Sequence, residues 1–273
     1  MYKVPKKESD QISTNLLKFQ KVLATAKSRD LNESDTVSII SDMLAEIFGY
    51  DKYLDITSEF AIRGTYCDLA IKINGKIEYL IECKSIGTQL KEQHIKQAVD
   101  YGANQGVNWV ILTNGITWRL YKLKFEQPIS FDLVYELDLS TLPPRSDETK
   151  ELLYILHKTA LDKGYRQMHF EKTQLINPYT VAQLLFSENV VNAIKKEIRK
   201  LSEDLKLSNE EISEILQKDV VKRDLIESEE AQSAKTQLKK IFAKIARKAD
   251  KEKAKKVVAE QPQEQQPNPP AEE

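Results

Sequence analysis

Apolar positions along the chain change from a helical to an alternating period and back, and these changes outline its secondary structure. Residues 9–27 and roughly 32–48 repeat apolar side chains at helical spacing, which predicts two amphipathic helices. The stretches "YLDITSEFAI", "YCDLAIKI" and "IEYLIECK" then alternate as strands do, and a charged helical segment follows over about residues 89–104. Two more strands are predicted in "NWVILTNGITWRLYKL" and one in "FDLVYELDL". This order predicts an α/β fold whose mixed sheet is flanked by helices.

The segment "STLPPRSDE", residues 140–148, ends the strand pattern, and every periodic stretch after it is helical. We therefore expect an α/β domain over residues 1–140, an all-helical region over 149–257, and a disordered tail over 258–273 that has nothing to bury. A near-heptad seam in the helical region serves either as a coiled-coil contact in a homo-oligomer or as packing within one chain. The seam comprises Leu184, Val191, Ile194, Ile198, Leu201 and Leu205.

Charge and cysteine content narrow the class of protein only a little. The formal net charge is −1 at pH 7, so the chain as a whole does not attract a polyanion, but residues 239–256 contain nine basic and two acidic residues. This run either binds phosphates or is a solvated helix face, and the second interpretation is the simpler one. Two cysteines, no leader pattern and no apolar run of bilayer length predict a cytoplasmic protein without a membrane partner.

The stretches "YCDLAIKI" and "IEYLIECK" are predicted to form a hairpin, and three of its charged side chains are predicted to share one face of the sheet. Side chains alternate along a strand, so Glu82 and Lys84 point the same way, opposite their apolar neighbours. If the apolar residues of both strands face one core, the hairpin must pair odd-numbered residues with odd ones and even with even. Asp68 on the preceding strand then shares the face of Glu82 and Lys84. The same parity excludes a plain two-residue turn at Asn74-Gly75 and predicts a three-residue loop there.

Two carboxylates beside an ammonium group form a constellation suited to metal-assisted phosphodiester hydrolysis. Hard oxygen ligands hold Mg²⁺ and leave several of its waters in place, and the metal polarises a phosphate and lowers the pKa of an attacking water. A lysine orients that water or stabilises developing charge. An exposed cross-strand ion pair on an edge hairpin gives the same pattern, and the spacing alone leaves both interpretations open.

The order Asp68, hairpin, Glu82-Cys83-Lys84 resembles the PD-(D/E)xK nuclease signature without its usual proline. The flanking stretches "NESDTVSIISDMLAEIFGYD" and "KQAVDYGANQGVNWVILTNGITWRLY" are similar to the N-terminal nuclease domain of type I restriction enzyme R subunits, and the likeness covers about residues 30–125. This resemblance implies a restriction-endonuclease-like fold. It also implies that Asp68, Glu82 and the backbone carbonyl of Cys83 are metal ligands. Lys84 would be the catalytic lysine.

The same resemblance assigns three further residues. Gln97 and Tyr101 correspond to the Gln-x-x-x-Tyr of that domain, and their spacing of four places them on one helical face, from which they touch the scissile strand or support the site. Glu33 corresponds to the acidic residue of the first helix and would be a further metal ligand. Asp35 is a close rival for that assignment, and a helix N-terminus favours an acidic residue in any case.

The chain differs from type I R subunits in having no helicase-like motor sequence, which favours a standalone protein that carries the nuclease domain with a helical region. The resemblance therefore implies a Mg²⁺-dependent endonuclease or exonuclease related to restriction or genome defence. Mn²⁺ is the expected substitute metal, and DNA is the expected nucleic acid. The rival expectation is a catalytically silent nucleic-acid-binding or assembly protein that keeps the fold and uses its helical region as the working surface.

Overall fold

The computed structural model describes residues 3–62, 65–202 and 206–259, with side chains outside 59–66 and 248–259. The chain forms two compact units, Met1–Thr173 and Gln174–Glu273. Within the described ranges, none of the helices combines the length and the apolar character needed to cross a membrane.

The elements of the first unit are α1 (Lys6–Ser28), α2 (Glu33–Glu46), β1 (Ile56–Ile62), β2 (Thr65–Ile73), β3 (Lys76–Cys83), α3 (Glu92–Gln105), β4 (Trp109–Thr113), β5 (Thr117–Lys124), β6 (Ser130–Asp138), α4 (Asp147–Tyr154), α5 (Lys158–Leu161) and α6 (Tyr165–Leu175). The strands form one sheet in the order β1-β2-β3-β4-β5-β6. β3 and β4 are parallel, with α3 as their crossover, and the other neighbouring pairs are antiparallel. The predicted mixed sheet flanked by helices is confirmed.

Both faces of the sheet are buried, which differs from the expectation of one apolar and one charged face. α1 and α2 cover one face, where Leu69, Ile71 and Ile81 are fully buried. α3 covers the other face, where Ala70 and Leu80 are fully buried. A parallel crossover places its helix against the sheet in this way. The charged end of β3 therefore belongs to a strand that is covered on both faces.

The turn between β2 and β3 contradicts the loop predicted from parity. Asn74 and Gly75 form a two-residue turn, and Ile73 pairs with Lys76 across it. Both turn residues have positive φ, 50° and 81°, which is the backbone conformation of the tight hairpin turn that Asn-Gly favours. The predicted three-residue loop is therefore wrong.

A β-bulge in β3 restores the parity that this turn would otherwise break. Lys72 pairs with Ile77, but Ile71 pairs with Tyr79, so Glu78 is an extra residue of β3. Ile77 consequently packs against the cluster that α3 covers, whereas Tyr79 lies in the cluster on the opposite face. Beyond the bulge, odd-numbered residues pair with odd ones, as the hydrophobic pattern requires.

Helices α4, α5 and α6 complete the first unit, although they follow the strand-ending segment at residues 140–148. Leu153 and Tyr154 of α4 are fully buried in the same cluster as the residues of α1 and α2. Arg166 of α6 makes an ion pair with Glu78 at the bulge. The domain limits expected from the sequence stay a prediction, because compactness alone does not show which segments fold independently.

The second unit is helical, as predicted. Its elements are α7 (Pro178–Leu185), α8 (Glu188–Arg199), α9 (Asn209–Ile215), a π-helical turn (Leu216–Val220), α10 (Asp224–Glu227) and α11 (Glu229–Ala259).

The predicted helical seam does not lie on one helix. α7 and α8 are separate helices, with Leu184 on the first and Val191 on the second. Val191 packs into an apolar cluster of this unit, whereas Leu201 is 86% exposed and Leu205 lies outside the described residues. A continuous seam is therefore wrong, and a homo-oligomer through this region stays a prediction. The tail expected over 258–273 lies outside the described residues apart from its first two, which end α11.

Candidate active site

The end of the β2–β3 ladder brings Asp68 and Glu82 together. Leu69 pairs with Ile81, so Asp68 and Glu82 are the next two residues in the same register. The backbone N–H of Cys83 then donates to Oδ2 of Asp68 at 2.7 Å. This hydrogen bond fixes the Asp68 carboxylate beside Glu82 at the end of the strand.

Lys84 follows β3 directly, and its ammonium group lies among three oxygen atoms of the site. Its backbone N–H donates to the carbonyl of Thr113 at the end of β4, at 2.9 Å. Its Nζ donates to Oε1 of Glu82 at 2.9 Å and to the carbonyl of Cys83 at 2.7 Å. Oε2 of Glu33 lies 3.5 Å from the same nitrogen. Three of the groups predicted to bind a metal, Glu82, the Cys83 carbonyl and Glu33, therefore already contact the positive charge of the lysine.

Burial shapes the electrostatics of the two carboxylates. Glu82 is 4% exposed, and desolvation raises its pKa to about 7 despite the hydrogen bond from Lys84. Burial also raises the pKa of Asp68, which the Cys83 N–H and the Lys84 charge partly offset. Burial lowers the pKa of Lys84, but its bond to Glu82 and the nearby negative charges outweigh that effect and raise the pKa overall. The lysine is therefore charged at neutral pH, while Glu82 is close to its titration point.

The donor atoms present suit a hard divalent cation. Oε2 of Glu82 is buried and accepts no hydrogen bond from a described residue. Asp68, Glu82 and the carbonyl of Cys83 offer oxygen ligands, which Mg²⁺ prefers, and a cation would satisfy the unpaired oxygen. Among the described residues, no group of three or more His, Cys, Asp or Glu side chains is spaced to hold a metal ion. The candidate set is therefore two carboxylates and one backbone carbonyl.

Glu33 lies at the rim of this site as the first residue of α2. Asn32 caps the helix and accepts a hydrogen bond from the backbone N–H of Asp35. The side chain of Glu33 is 49% exposed and forms its ion pair with Lys84. This pair distinguishes Glu33 from its rival Asp35, while direct metal ligation by Glu33 stays a prediction.

A cleft of about 540 Å³ leads to the Asp68 side of the site. One wall is the first two turns of α2, and the other comes from β1 and β2. Its lining residues are Glu33, Ser34, Val37, Ser38, Ser58 and Asp68. The cleft therefore gives a substrate access to Asp68, whereas Glu82 is almost fully buried and does not line it.

Gln97 and Tyr101 lie on one face of α3, as their spacing predicts. The side-chain amide of Gln97 donates to the hydroxyl of Tyr101. Tyr101 is 4% exposed in the apolar cluster between α3 and the sheet, whereas Gln97 is exposed. Their predicted role at the scissile strand or in support of the site stays a prediction.

The loop after β3 is held by residues that the sequence did not single out. Thr36 of α2 is fully buried, and its hydroxyl accepts the backbone N–H of Ile86 at 3.2 Å while donating to the carbonyl of Asn32 at 2.7 Å. The side chain of Asn114 donates to the carbonyl of Thr88 at 2.9 Å. These contacts join residues far apart in sequence, so no local pattern signals them. They fix the loop that begins with the lysine of the site.

Binding of Mn²⁺ is expected to weaken about tenfold for each pH unit below about 7. The pKa of Glu82 is about 7, and a metal binds the ionised carboxylate, so protons compete with the metal below that pH. Above it the affinity should approach a plateau. Calorimetric titration with Mn²⁺ between about pH 5.5 and 8.5 measures this dependence. An affinity that stays constant over that range would contradict the raised pKa.

Comparison with known proteins gives one family match. The fold and site define an α/β domain with two carboxylates and a lysine at the ends of adjacent strands. Residues 39–136, about a third of the chain, match a family described as type I restriction enzyme R protein N terminus (HSDR_N). The matched segment includes Asp68, Glu82 and Lys84 but not Glu33. It resembles a restriction-enzyme-related nuclease domain. Neither the curated proteins nor the solved structures gave a match to the chain.

Proposed function

We propose that this chain is a Mg²⁺-dependent nuclease that hydrolyses phosphodiester bonds in DNA, in a setting related to restriction or genome defence. The observation that carries the proposal is the contact of the Lys84 ammonium with Oε1 of Glu82 and the carbonyl of Cys83, beside the fixed carboxylate of Asp68. The match to a restriction-enzyme domain supports a nuclease rather than another metal-dependent hydrolase. The cytoplasmic location expected from the sequence agrees with DNA as the substrate.

Each residue of the site has a separate task in this proposal. Asp68, Glu82 and the Cys83 carbonyl would hold Mg²⁺, which supplies an activated water and a counter-charge for the phosphate. The Cys83 N–H keeps Asp68 oriented, and burial of Glu82 excludes water from one side of the site. Lys84 donates hydrogen bonds from a charged group, so it can orient the attacking water or stabilise charge that develops on the phosphate.

Glu33 would offer Lys84 another acceptor when a metal ion occupies the site. The ammonium contacts the Cys83 carbonyl, which is a proposed metal ligand, and Oε1 of Glu82, which belongs to the same carboxylate as the unpaired Oε2. Like charges repel, so a divalent cation and this ammonium cannot share the same oxygen atoms closely. Glu33, at 3.5 Å, is an acceptor toward which the lysine can shift without leaving the site. Glu33 would then act on Lys84 whether or not it also binds the metal.

Cleavage of DNA by the purified chain tests the proposal. Supercoiled plasmid and end-labelled linear duplex are incubated with Mg²⁺, with Mn²⁺ or with EDTA, and the products are resolved on gels. We expect cleavage in both metals, none in EDTA, and activity that follows the protein through two chromatographic steps. Nicking of the plasmid would indicate an endonuclease, and degradation of the linear duplex alone an exonuclease. Tight DNA binding without cleavage in either metal would favour the rival function, a silent nucleic-acid-binding or assembly protein.

A further inference from the structure

The helix α11 has an apolar face that packs within the second unit. Ala231 and Ala234 are buried and Leu238 is half-buried, and the helix packs against α7 and α10. These three residues recur at helical spacing and lie on one side of the helix. Packing therefore uses one face of the first part of α11.

A second face of α11 carries basic residues. Lys240, Lys244 and Arg247 are spaced i, i+4 and i+7, so they share one side of the helix, and all three are exposed. At about 100° per residue, this side is roughly two fifths of a turn away from the packed face. We call Lys240, Lys244 and Arg247 the basic stripe.

The basic stripe is not neutralised by the described part of the protein. None of Lys240, Lys244 and Arg247 forms an ion pair with a described residue, whereas Lys200 and Lys218 of the same unit do. Repulsion between these cations destabilises a helix, and each i, i+4 pair of like charges costs a few tenths of a kcal/mol. An unneutralised row of like charges is therefore more favourable when an external anion compensates it.

The charge of the whole chain points to this helix as the site of contact with a polyanion. Residues 239–256 carry a net charge of +7, nine basic minus two acidic, and the full chain carries −1. The rest of the chain therefore carries −8, which is −1 minus 7. A polyanion is repelled by most of the molecule and attracted at α11, because such interactions are screened within about 8–10 Å at physiological salt.

We propose that the basic stripe of α11 binds the phosphate backbone of duplex DNA without sequence preference. It spans eight residues, roughly 10 Å, which corresponds to about three base pairs. The choice of DNA rests on the proposed function, whereas the attraction to a phosphate backbone follows from the charges. The basic stripe belongs to a different unit from Asp68 and Glu82, and the role proposed for it is to retain the nucleic acid.

The salt dependence of DNA binding in EDTA tests this inference. Fluorescence anisotropy with a labelled duplex of about 20 base pairs is measured for the full chain between about 50 and 200 mM KCl. The variant Lys240→Gln/Lys244→Gln/Arg247→Gln should flatten the slope of log K against log salt by about 2.7, since each lost phosphate contact changes it by about 0.9. Its affinity at about 100 mM salt should fall at least about tenfold.

A matched variant in the first unit is the control. Lys21→Gln/Lys27→Gln/Arg29→Gln removes two lysines and one arginine from exposed positions of α1 and its C-cap, and it should leave the slope unchanged. Equal losses in both variants, or preferential binding of the wild type to anionic vesicles over DNA, would overturn the inference. Binding is measured in EDTA, which prevents cleavage, and cleavage is measured separately with Mg²⁺ or Mn²⁺. Binding through the stripe without cleavage in either metal contradicts only the proposed nuclease activity. If the wild type cleaves DNA and the stripe variant keeps the wild-type slope of log K against log salt, only the role of α11 is contradicted.

Discussion

Lys84→Met is expected to lower the rate of Mg²⁺-dependent DNA cleavage by about 10²- to 10³-fold while Mn²⁺ binding at about pH 8 stays within about tenfold of wild type. The ammonium group is the cationic donor closest to Glu82 and the Cys83 carbonyl, so its loss removes the group that orients water or stabilises the phosphate. The oxygen atoms of the site remain. Asp68→Asn should instead weaken both properties, because it changes a proposed ligand.

Rates from single-turnover cleavage and affinities from calorimetry separate these two outcomes. Lys72→Met is the matched control, because Lys72 is an exposed lysine on the adjacent strand β2 and should behave as wild type. If Lys84→Met cleaves at the wild-type rate, Lys84 has no part in the chemistry. If it loses metal binding as completely as Asp68→Asn does, the separation between ligands and lysine is wrong.

Arg166→Met is expected to lower the free energy of unfolding by about 3 kcal/mol. The guanidinium of Arg166 is paired with the Glu78 carboxylate, and its Nη1 donates to the Glu78 carbonyl at 3.2 Å. It also lies 4.8 Å from the ring centre of Tyr79 and 5.3 Å from that of Trp109. Both partners of the ion pair are only 11–12% exposed, so removing Arg166 leaves a largely buried carboxylate whose remaining cationic partner is the exposed Lys76. The pair joins α6 to the bulge that sets the register of Glu82.

Urea unfolding of wild type, Arg166→Met, Glu78→Gln and the double variant measures this effect and the coupling between the two residues. The exposed pair Lys18–Glu46 provides the comparison, because Lys18→Met should cost less than about 1 kcal/mol. A loss at Arg166 no larger than that at Lys18 would show that the buried pair does not stabilise the fold.

The periods of the sequence predicted the sheet, its flanking helices and the helical second unit, since each element buries a continuous face. The register was harder to predict. The parity argument correctly brought Asp68 and Glu82 together. It attributed the one-residue shift in pairing to a longer turn, whereas the bulge at Glu78 produces this shift. Strict alternation would place Ile77 and Tyr79 on the same face, but the bulge puts them on opposite faces. Both faces of this sheet are apolar, so an isoleucine carries no signal of the face it occupies.

The predicted site was incomplete where contacts are distant in sequence. Asp68, Glu82 and Lys84 are within one hairpin, so strand geometry relates them. Thr36 contacts the loop after β3 from 50 residues away, and Arg166 reaches Glu78 from 88 residues away. Neither residue has a local pattern that distinguishes it from an ordinary helix residue. Packing of α2 and α6 on the sheet creates both contacts.

Anomalous diffraction from a crystal soaked in Mn²⁺ tests the central claim most directly. The account predicts a peak within about 2.3 Å of carboxylate oxygens from both Asp68 and Glu82, with the Lys84 ammonium displaced from the Cys83 carbonyl. The soak is made at about pH 8, where Glu82 is ionised. Saturating Mn²⁺ without a peak between the two carboxylates, and with Lys84 still bound to Glu82 and the Cys83 carbonyl, would contradict it.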